Sequence, residues 1–304
     1  MANQYWQYRE EFEKIGCKVV ADEPMKNHTS FKIGGAADLY VTVNEIEQLS
    51  AALALAEEKQ IPLFVLGNGS NLLVSDKGIR GAVLRLGRQF CDIGYASDGT
   101  IRCGAGAQLS RLCAFALEHS LTGLEFAWGI PGSVGGAAFM NAGAYGGEMK
   151  DVVISCEHID KHGVKGEFSG EELDFAYRHS VYASGDYIIT AVNLRLQKGD
   201  KAEIKAKMEE LMGRRKEKQP LEYPSAGSIF KRPEGYFAGG LIEQCGLKGA
   251  QVGGAQVSPK HAGFIVNVGG ATCDDVLTLI ANIQKKVKEE TGVDLECEVR
   301  KTGK

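Results

Sequence analysis

The sequence predicts an α+β protein built from more than one domain, and three observations carry that reading. Apolar segments of strand length outnumber helical ones and do not alternate with them, as a doubly wound parallel sheet would require. No G-x-G-x-x-G follows a first strand with an acidic residue about 20 positions later. The 304 residues exceed one typical domain, and the patterning breaks near Lys198-Gly199-Asp200.

Taken in order, residues 3–15 read as a short helix, and the turn-rich stretch 28–38 feeds a strand over 39–43. Asn44 is placed to cap a helix, with Glu47 three residues on and Ile46, Leu49, Leu53 and Ala56 on one face. Residues 61–66, IPLFVL, form a continuous apolar run expected to be a fully buried strand. That run ends in Gly67-Asn68-Gly69-Ser70-Asn71 before the apolar 72–74. A strand over 81–86 follows, then a hairpin turned by Asp98-Gly99 between 91–95 and 101–103. Residues 108–120 are helical, with Leu109, Leu112, Cys113, Ala116 and Leu117 inward. Strands over 151–160 and 187–197 flank a segment containing Tyr177-Arg178-His179-Ser180. Beyond the break lies a helix over 201–218, with Ile204, Met208 and Leu211 on one stripe and Arg214, Arg215, Lys216 and Lys218 near its end. Pro220 and Pro224 interrupt the chain before the turn-rich 225–233. A helix over 238–245, a strand over 263–268 and a helix capped by Thr272 and Asp275 complete the body. In the last strand, 295–300, a period of two sets Leu295, Cys297 and Val299 on one face and Glu296, Glu298 and Arg300 on the other.

The densest chemical signal is 129–151, GIPGSVGGAAFMNAGAYGGEMKD, where seven of 23 residues are glycine. The spacing Gly129-x-x-Gly132-x-x-Gly135-Gly136 leaves backbone amides uncovered by side chains, the arrangement that cradles a diphosphate without fixed cations. Pro131, Ser133, Asn141 and Gly143 complete this candidate phosphate loop. Gly67, Asn68, Gly69, Ser70 and Asn71 supply turn geometry and polar donors for a second wall of the same site.

Charge and cysteine usage exclude several classes. A net charge of −4 leaves no electrostatic footprint for nucleic acid or an anionic membrane. There is no 18-residue apolar run, and the start MANQYWQYREEFEK is acidic and aromatic, unlike a signal peptide; a cytoplasmic protein is expected. The eight cysteines contain no C-x-x-C pair, so no metal is expected and the thiols read as reduced core residues.

GGAADL at 34–39, LGNGSNLLVSDKG at 66–78, the glycine-rich 129–149, YRHS at 177–180, GSIFKRP at 227–233, the segment 240–267 and LECEVR at 295–300 occur in that order. Together they resemble the UDP-N-acetylenolpyruvoylglucosamine reductase family of peptidoglycan precursor synthesis. The resemblance implies a two-lobed FAD-binding region of the vanillyl-alcohol-oxidase/PCMH type over 1–199, split near 88–100, and a substrate-binding α+β domain over 200–304. It also implies noncovalent FAD, NADPH as co-substrate and a UDP-sugar substrate whose enolpyruvyl group becomes a lactyl ether. Matched by motif, Ser228 is the proton donor, while Arg178 and Glu298 flank the developing enolate. An arginine fork suits a carboxylate, which agrees with that role. Arg215, Lys218 and Arg300 are the candidate contacts to the sugar nucleotide. The short connection from Arg178 to Ser228 is similar to the family form without an extra substrate-closing tyrosine loop.

Overall fold

The computed structural model describes residues 4–96 and 99–304. Residue 3 of the expected N-terminal helix and Asp98 of the expected hairpin turn lie outside them. Packing divides the chain into two units. The first takes the described residues up to Ala21, Leu39–Asn68 and Gly81–Arg215; the second takes Asp22–Asp38, Gly69–Arg80 and Lys216–Lys304. Each has its own apolar core. Sequence order places a boundary near residue 199, whereas packing draws 22–38 and 69–80 in with the C-terminal segment. The reason is local: Phe31, Ile33 and Leu73 are buried in the core of the second unit.

One sheet has the order Lys18–Pro24, Ala36–Val43, Ile79–Leu86, Leu63–Leu66. Leu63–Leu66 is an edge strand, parallel to Ile79–Leu86. The apolar run at 61–66 is therefore not fully buried, and Val65 is 38% exposed. The helix Ile46–Glu58 is capped at Glu45, one residue later than expected, so the residue three beyond the cap is Gln48. Gln48 Oε1 accepts the Asn44 amide at 2.8 Å, which closes the first turn without Glu47. A second sheet runs Lys165–Ser169, Val153–Asp160, Tyr187–Leu194, Ile101–Gly104, Ile93–Tyr95, antiparallel throughout. The helix Leu109–Glu118 buries Leu109, Leu112, Cys113 and Ala116.

The glycine-rich stretch is more regular than its composition suggests. It contains a helix, Val134–Phe139, whose N-cap Ser133 accepts the Gly136 amide at 3.2 Å. The helix closes with Asn141 at φ 42°. The Asn141 amide reaches Ala138 O at 3.1 Å and the Ala142 amide reaches Ala137 O at 2.8 Å, a Schellman closure. A small hairpin follows, Gly143–Ala144 against Gly147–Glu148, turned by Tyr145 (φ 54°) and Gly146 (φ 91°).

In the second unit, a sheet of order Ser225–Ser228, Phe264–Asn267, Ala255–Val257, Gln251–Val252 packs with the helix Cys273–Thr291. Thr272 and Asp275 form the expected capping box. The Asp76 carboxylate adds two further caps, from the amides of Cys273 (2.9 Å) and Asp274 (3.2 Å). Leu72–Val74 pairs in parallel with Arg300–Thr302. The terminal strand begins only at Arg300; Cys297 forms a single bridge to Phe230, and Leu295 and Val299 are buried as the alternation requires. Among the described residues, no helix is long and apolar enough to cross a membrane, and no cluster of three or more His, Cys, Asp or Glu is placed to hold a metal ion.

Candidate active site

The expected site residues divide between the two units. Gly67, Asn68, the 129–143 residues, Arg178 and Arg215 belong to the first; Gly69, Ser70, Asn71, Lys218, Ser228, Glu298 and Arg300 belong to the second.

In the first unit, the two glycine-bearing stretches meet. A β-carbon on Gly67 would stand 2.7 Å from Ser133 Oγ, so the absence of a side chain there permits the approach. Arg85 holds the neighbouring turn, donating to Gly67 O and, at 3.2 Å, to Asn68 Oδ1. Among the described residues, no acceptor of the chain takes the amides of Asn68, Gly132 or Ser133. Such amides are the donors that a phosphate oxygen needs.

Other members of the glycine-rich stretch serve different ends. The Gly135 amide donates to Ala105 O at 2.8 Å, and a β-carbon on Gly135 would lie 2.6 Å from Ala105 Cβ. Gly135 therefore admits close packing of its helix against Ala105. The Gly136 amide is taken by Ser133 Oγ, and Pro131 has no amide hydrogen to offer. A β-carbon on Gly143 would meet Glu148 Cγ at 2.7 Å, so its glycine serves the small hairpin. The Asn141 side chain is buried and already bonded on both ends. For Gly135 and Gly143, a glycine that permits close packing looks, in sequence, like a glycine that bares its amide.

Arg178 sits at the second central position of a tight turn closed by Ala176 N–His179 O (3.2 Å) and His179 N–Ala176 O (3.1 Å). Its φ of 56° is left-handed, where glycine or asparagine is the usual choice. Its guanidinium lies 4.9 Å from the Tyr177 ring centroid. Arg215 covers Gly129, whose β-carbon would be 2.9 Å from Arg215 Cδ. Burial lowers the Arg215 pKa from its ordinary value, and the nearby Tyr145 partly opposes this. Arg214, by contrast, is spent on Glu210, 2.5 Å away.

The second unit brings Ser228 and Glu298 together. The Glu298 amide donates to Ile229 O at 2.8 Å, which fixes Glu298 beside the residue following Ser228. Asn71 joins them: its Nδ2 donates to Glu298 O at 3.1 Å and its carbonyl accepts the Arg300 amide at 3.0 Å. Gly69 has φ 63°, and a β-carbon there would stand 2.1 Å from His28 O, so no side chain fits. Among the described residues, the amides of Gly69, Ser70 and Asn71 meet no acceptor of the chain. Lys218 is exposed at the end of the helix Lys201–Lys218. Sequence reasoning missed Asp76, Arg85 and the anchoring use of Asn71; a polar side chain's long-range partner leaves no local periodic signal.

The residues present thus fit a diphosphate-bearing cofactor such as FAD: uncharged main-chain donors on glycine turns, with little side-chain bulk over them. Comparison with known proteins points the same way. Residues 219–302 match the model of the C-terminal domain of UDP-N-acetylenolpyruvoylglucosamine reductase, and residues 37–165 match an FAD binding domain. A UDP-N-acetylenolpyruvoylglucosamine reductase from Alkaliphilus oremlandii is 53% identical over 285 residues, covering 94% of this chain and 93% of its own. The same enzyme from Clostridium botulinum is 51% identical over 303 residues, covering 99% and 98%. A crystal structure of UDP-N-acetylenolpyruvylglucosamine reductase from Thermus caldophilus superimposes with a TM-score of 0.79 at 40% identity, covering 94% of this chain and 98% of that one. With uncovered main-chain amides on its glycine turns and relatives matched along almost their whole length, the chain belongs to the UDP-N-acetylenolpyruvoylglucosamine reductase family.

Proposed function

We propose that Arg178, Ser228 and Glu298 carry the substrate half of the family's reaction in this chain. The protein is an oxidoreductase and FAD flavoprotein that reduces the enolpyruvyl group of UDP-N-acetylglucosamine enolpyruvate, using NADPH, in peptidoglycan precursor synthesis. FAD, when bound, supplies the chemistry of hydride transfer between NADPH and the substrate. Gly67, Asn68, Gly132 and Ser133, with Gly69, Ser70 and Asn71, are the residues assigned to hold its diphosphate.

The chain's own work is to bind the enolpyruvyl carboxylate, stabilise charge and deliver a proton. The fixed fork of Arg178 suits that carboxylate, where negative charge grows as the double bond is reduced. Ser228 Oγ donates the proton to C2. A serine hydroxyl is a weak acid, so a second acid has to return a proton to Oγ as C2 takes the serine's own, and the protonated carboxyl of Glu298 is assigned that role. The observation carrying this assignment is the main-chain bond from Glu298 to Ile229, which seats the two side chains on adjoining backbone. Arg215, half-buried with its pKa lowered by burial, is assigned to a phosphate of the sugar nucleotide, with Lys218 and Arg300 as further contacts. We also assign the chain to the form without the tyrosine loop and to the cytoplasm, working without nucleic acid or membrane.

Ser228→Ala tests the proton donor. NADPH bleaches the flavin without that proton, so this half should run at near wild-type rate. Reoxidation of photoreduced enzyme by the enolpyruvyl substrate, followed by stopped flow, should slow by about 10²–10⁴-fold, the range of a lost general acid. Equal slowing of both halves would make Ser228 a shaping residue instead.

A further inference from the structure

Asn141, expected from sequence to face a cofactor, is built into something else. It is fully buried, and its amide makes three bonds. Nδ2 donates to Glu148 Oε2 at 2.9 Å and to Ala176 O at 3.0 Å, and Oδ1 accepts the Lys150 amide at 2.9 Å. Both amide hydrogens are used, so the side chain has no donor left for a ligand.

The bond to Ala176 O is the one with a consequence. Ala176 opens the turn that carries Arg178 in the left-handed region, a conformation an arginine keeps only where its surroundings hold it. The other end of that turn is tied to the same place: Ser180 Oγ donates to Phe139 O at 2.7 Å, at the last residue of the helix that Asn141 terminates. Glu148 is held first by Lys150 at 3.0 Å and then by Asn141, and these contacts, with a smaller contribution from the Arg178 charge, hold its carboxyl below the ordinary carboxylate range. Asn141 therefore touches both the backbone of the Arg178 turn and an acid that feels the Arg178 charge.

We propose that Asn141 is a positioning residue for Arg178, setting the guanidinium's place toward the substrate carboxylate, with Ser180 as the second tie. This rests on the reading of Arg178 given above. It goes beyond that reading by assigning the catalytic geometry to a side chain that meets neither substrate nor cofactor.

The substitution Asn141→Gly suits the test, because glycine is the preferred residue at this left-handed helix end, so the cap survives while the side chain is removed. We expect retained flavin, near-normal bleaching by NADPH and a 10–100-fold slower reoxidation by the enolpyruvyl substrate. Calorimetry on the oxidised enzyme should show weakened substrate binding. In an Arg178→Ala background, adding Asn141→Gly should change reoxidation by less than about twofold. Equal slowing with and without Arg178, or no slowing at all, would overturn the proposal. If Arg178→Ala alone leaves reoxidation unchanged, the assignment of Arg178 fails first, and that result is separately visible. Should Asn141→Gly lose its flavin, Ser180→Ala cuts the other tie and is put through the same cycle, with the same criteria.

Discussion

Glycine is where residue-scale reading of this sequence is both strongest and most easily misled. Gly67, Gly69 and Gly135 look alike in the sequence, yet each lacks a side chain for a different neighbour: Ser133 Oγ, His28 O and Ala105. Only Gly69 of the three also needs a positive φ. Gly135→Ala separates packing from ligand contact. A methyl group there would be forced onto Ala105 Cβ and to within 3.0 Å of Ala105 O, and overpacking of this kind costs about 1–3 kcal/mol. The melting temperature of the apoprotein should therefore fall by several degrees, with flavin retention falling in step. Flavin loss at an unchanged apoprotein melting temperature would return Gly135 to the ligand surface.

At the scale of elements, most helices and strands were legible because their periods are long enough to read. The helix Lys201–Lys218 has the expected bounds and buries Ile204, Met208 and Leu211 as its stripe requires. The run at 61–66 went the other way, since apolar content says nothing about whether a strand has one neighbour or two. The sheet face around His158 shows what patterning cannot supply. His158 is buried among Phe168, Tyr182 and Tyr187, with ring centroids 4.4, 5.7 and 4.7 Å away. Tyr182 donates to Cys156 O at 3.0 Å, so its oxygen accepts from His158 Nδ1 at 3.1 Å. Burial is the main cause that lowers the His158 pKa below its usual value, so the folded protein holds this ring neutral where the unfolded chain would already protonate it. The sign follows: the unfolded state binds the extra proton first. Stability is whole above the unfolded histidine value, near 6.5, and is lost as pH falls from there through the folded value. Urea midpoints measured from pH 7.5 to 5 should decline, and His158→Phe should flatten that decline relative to its own midpoint at pH 7.5. An unaltered slope in the variant would assign the pH dependence to other groups.

For the molecule as a whole, the motifs were legible in order but the packing that groups their segments was not. Sequence proximity suggests a break at 199; packing instead builds the second unit from three separated segments. Nothing periodic marks residues 22–38 or 69–80 as belonging with the C-terminal segment, because the contacts that assign them are long-range. The matched C-terminal domain, residues 219–302, is thus only part of what packs together. Excised alone, it would lose Phe31, Ile33 and Leu73, all at most 2% exposed, from its core. It would also lose the strand Leu72–Val74 that pairs with Arg300–Thr302 and the Asp76 caps of the helix Cys273–Thr291. Three such side chains contribute together about 5–9 kcal/mol of burial, and a side-chain helix cap about 0.5–2 kcal/mol. A domain is stable by only about 5–15 kcal/mol in total. The fragment 219–302 should therefore show no cooperative urea transition and little dispersion in its amide NMR spectrum, although its sequence alone matches a domain model. A sharp two-state transition in the isolated fragment would show that the segments 22–38 and 69–80 decorate a core that stands without them.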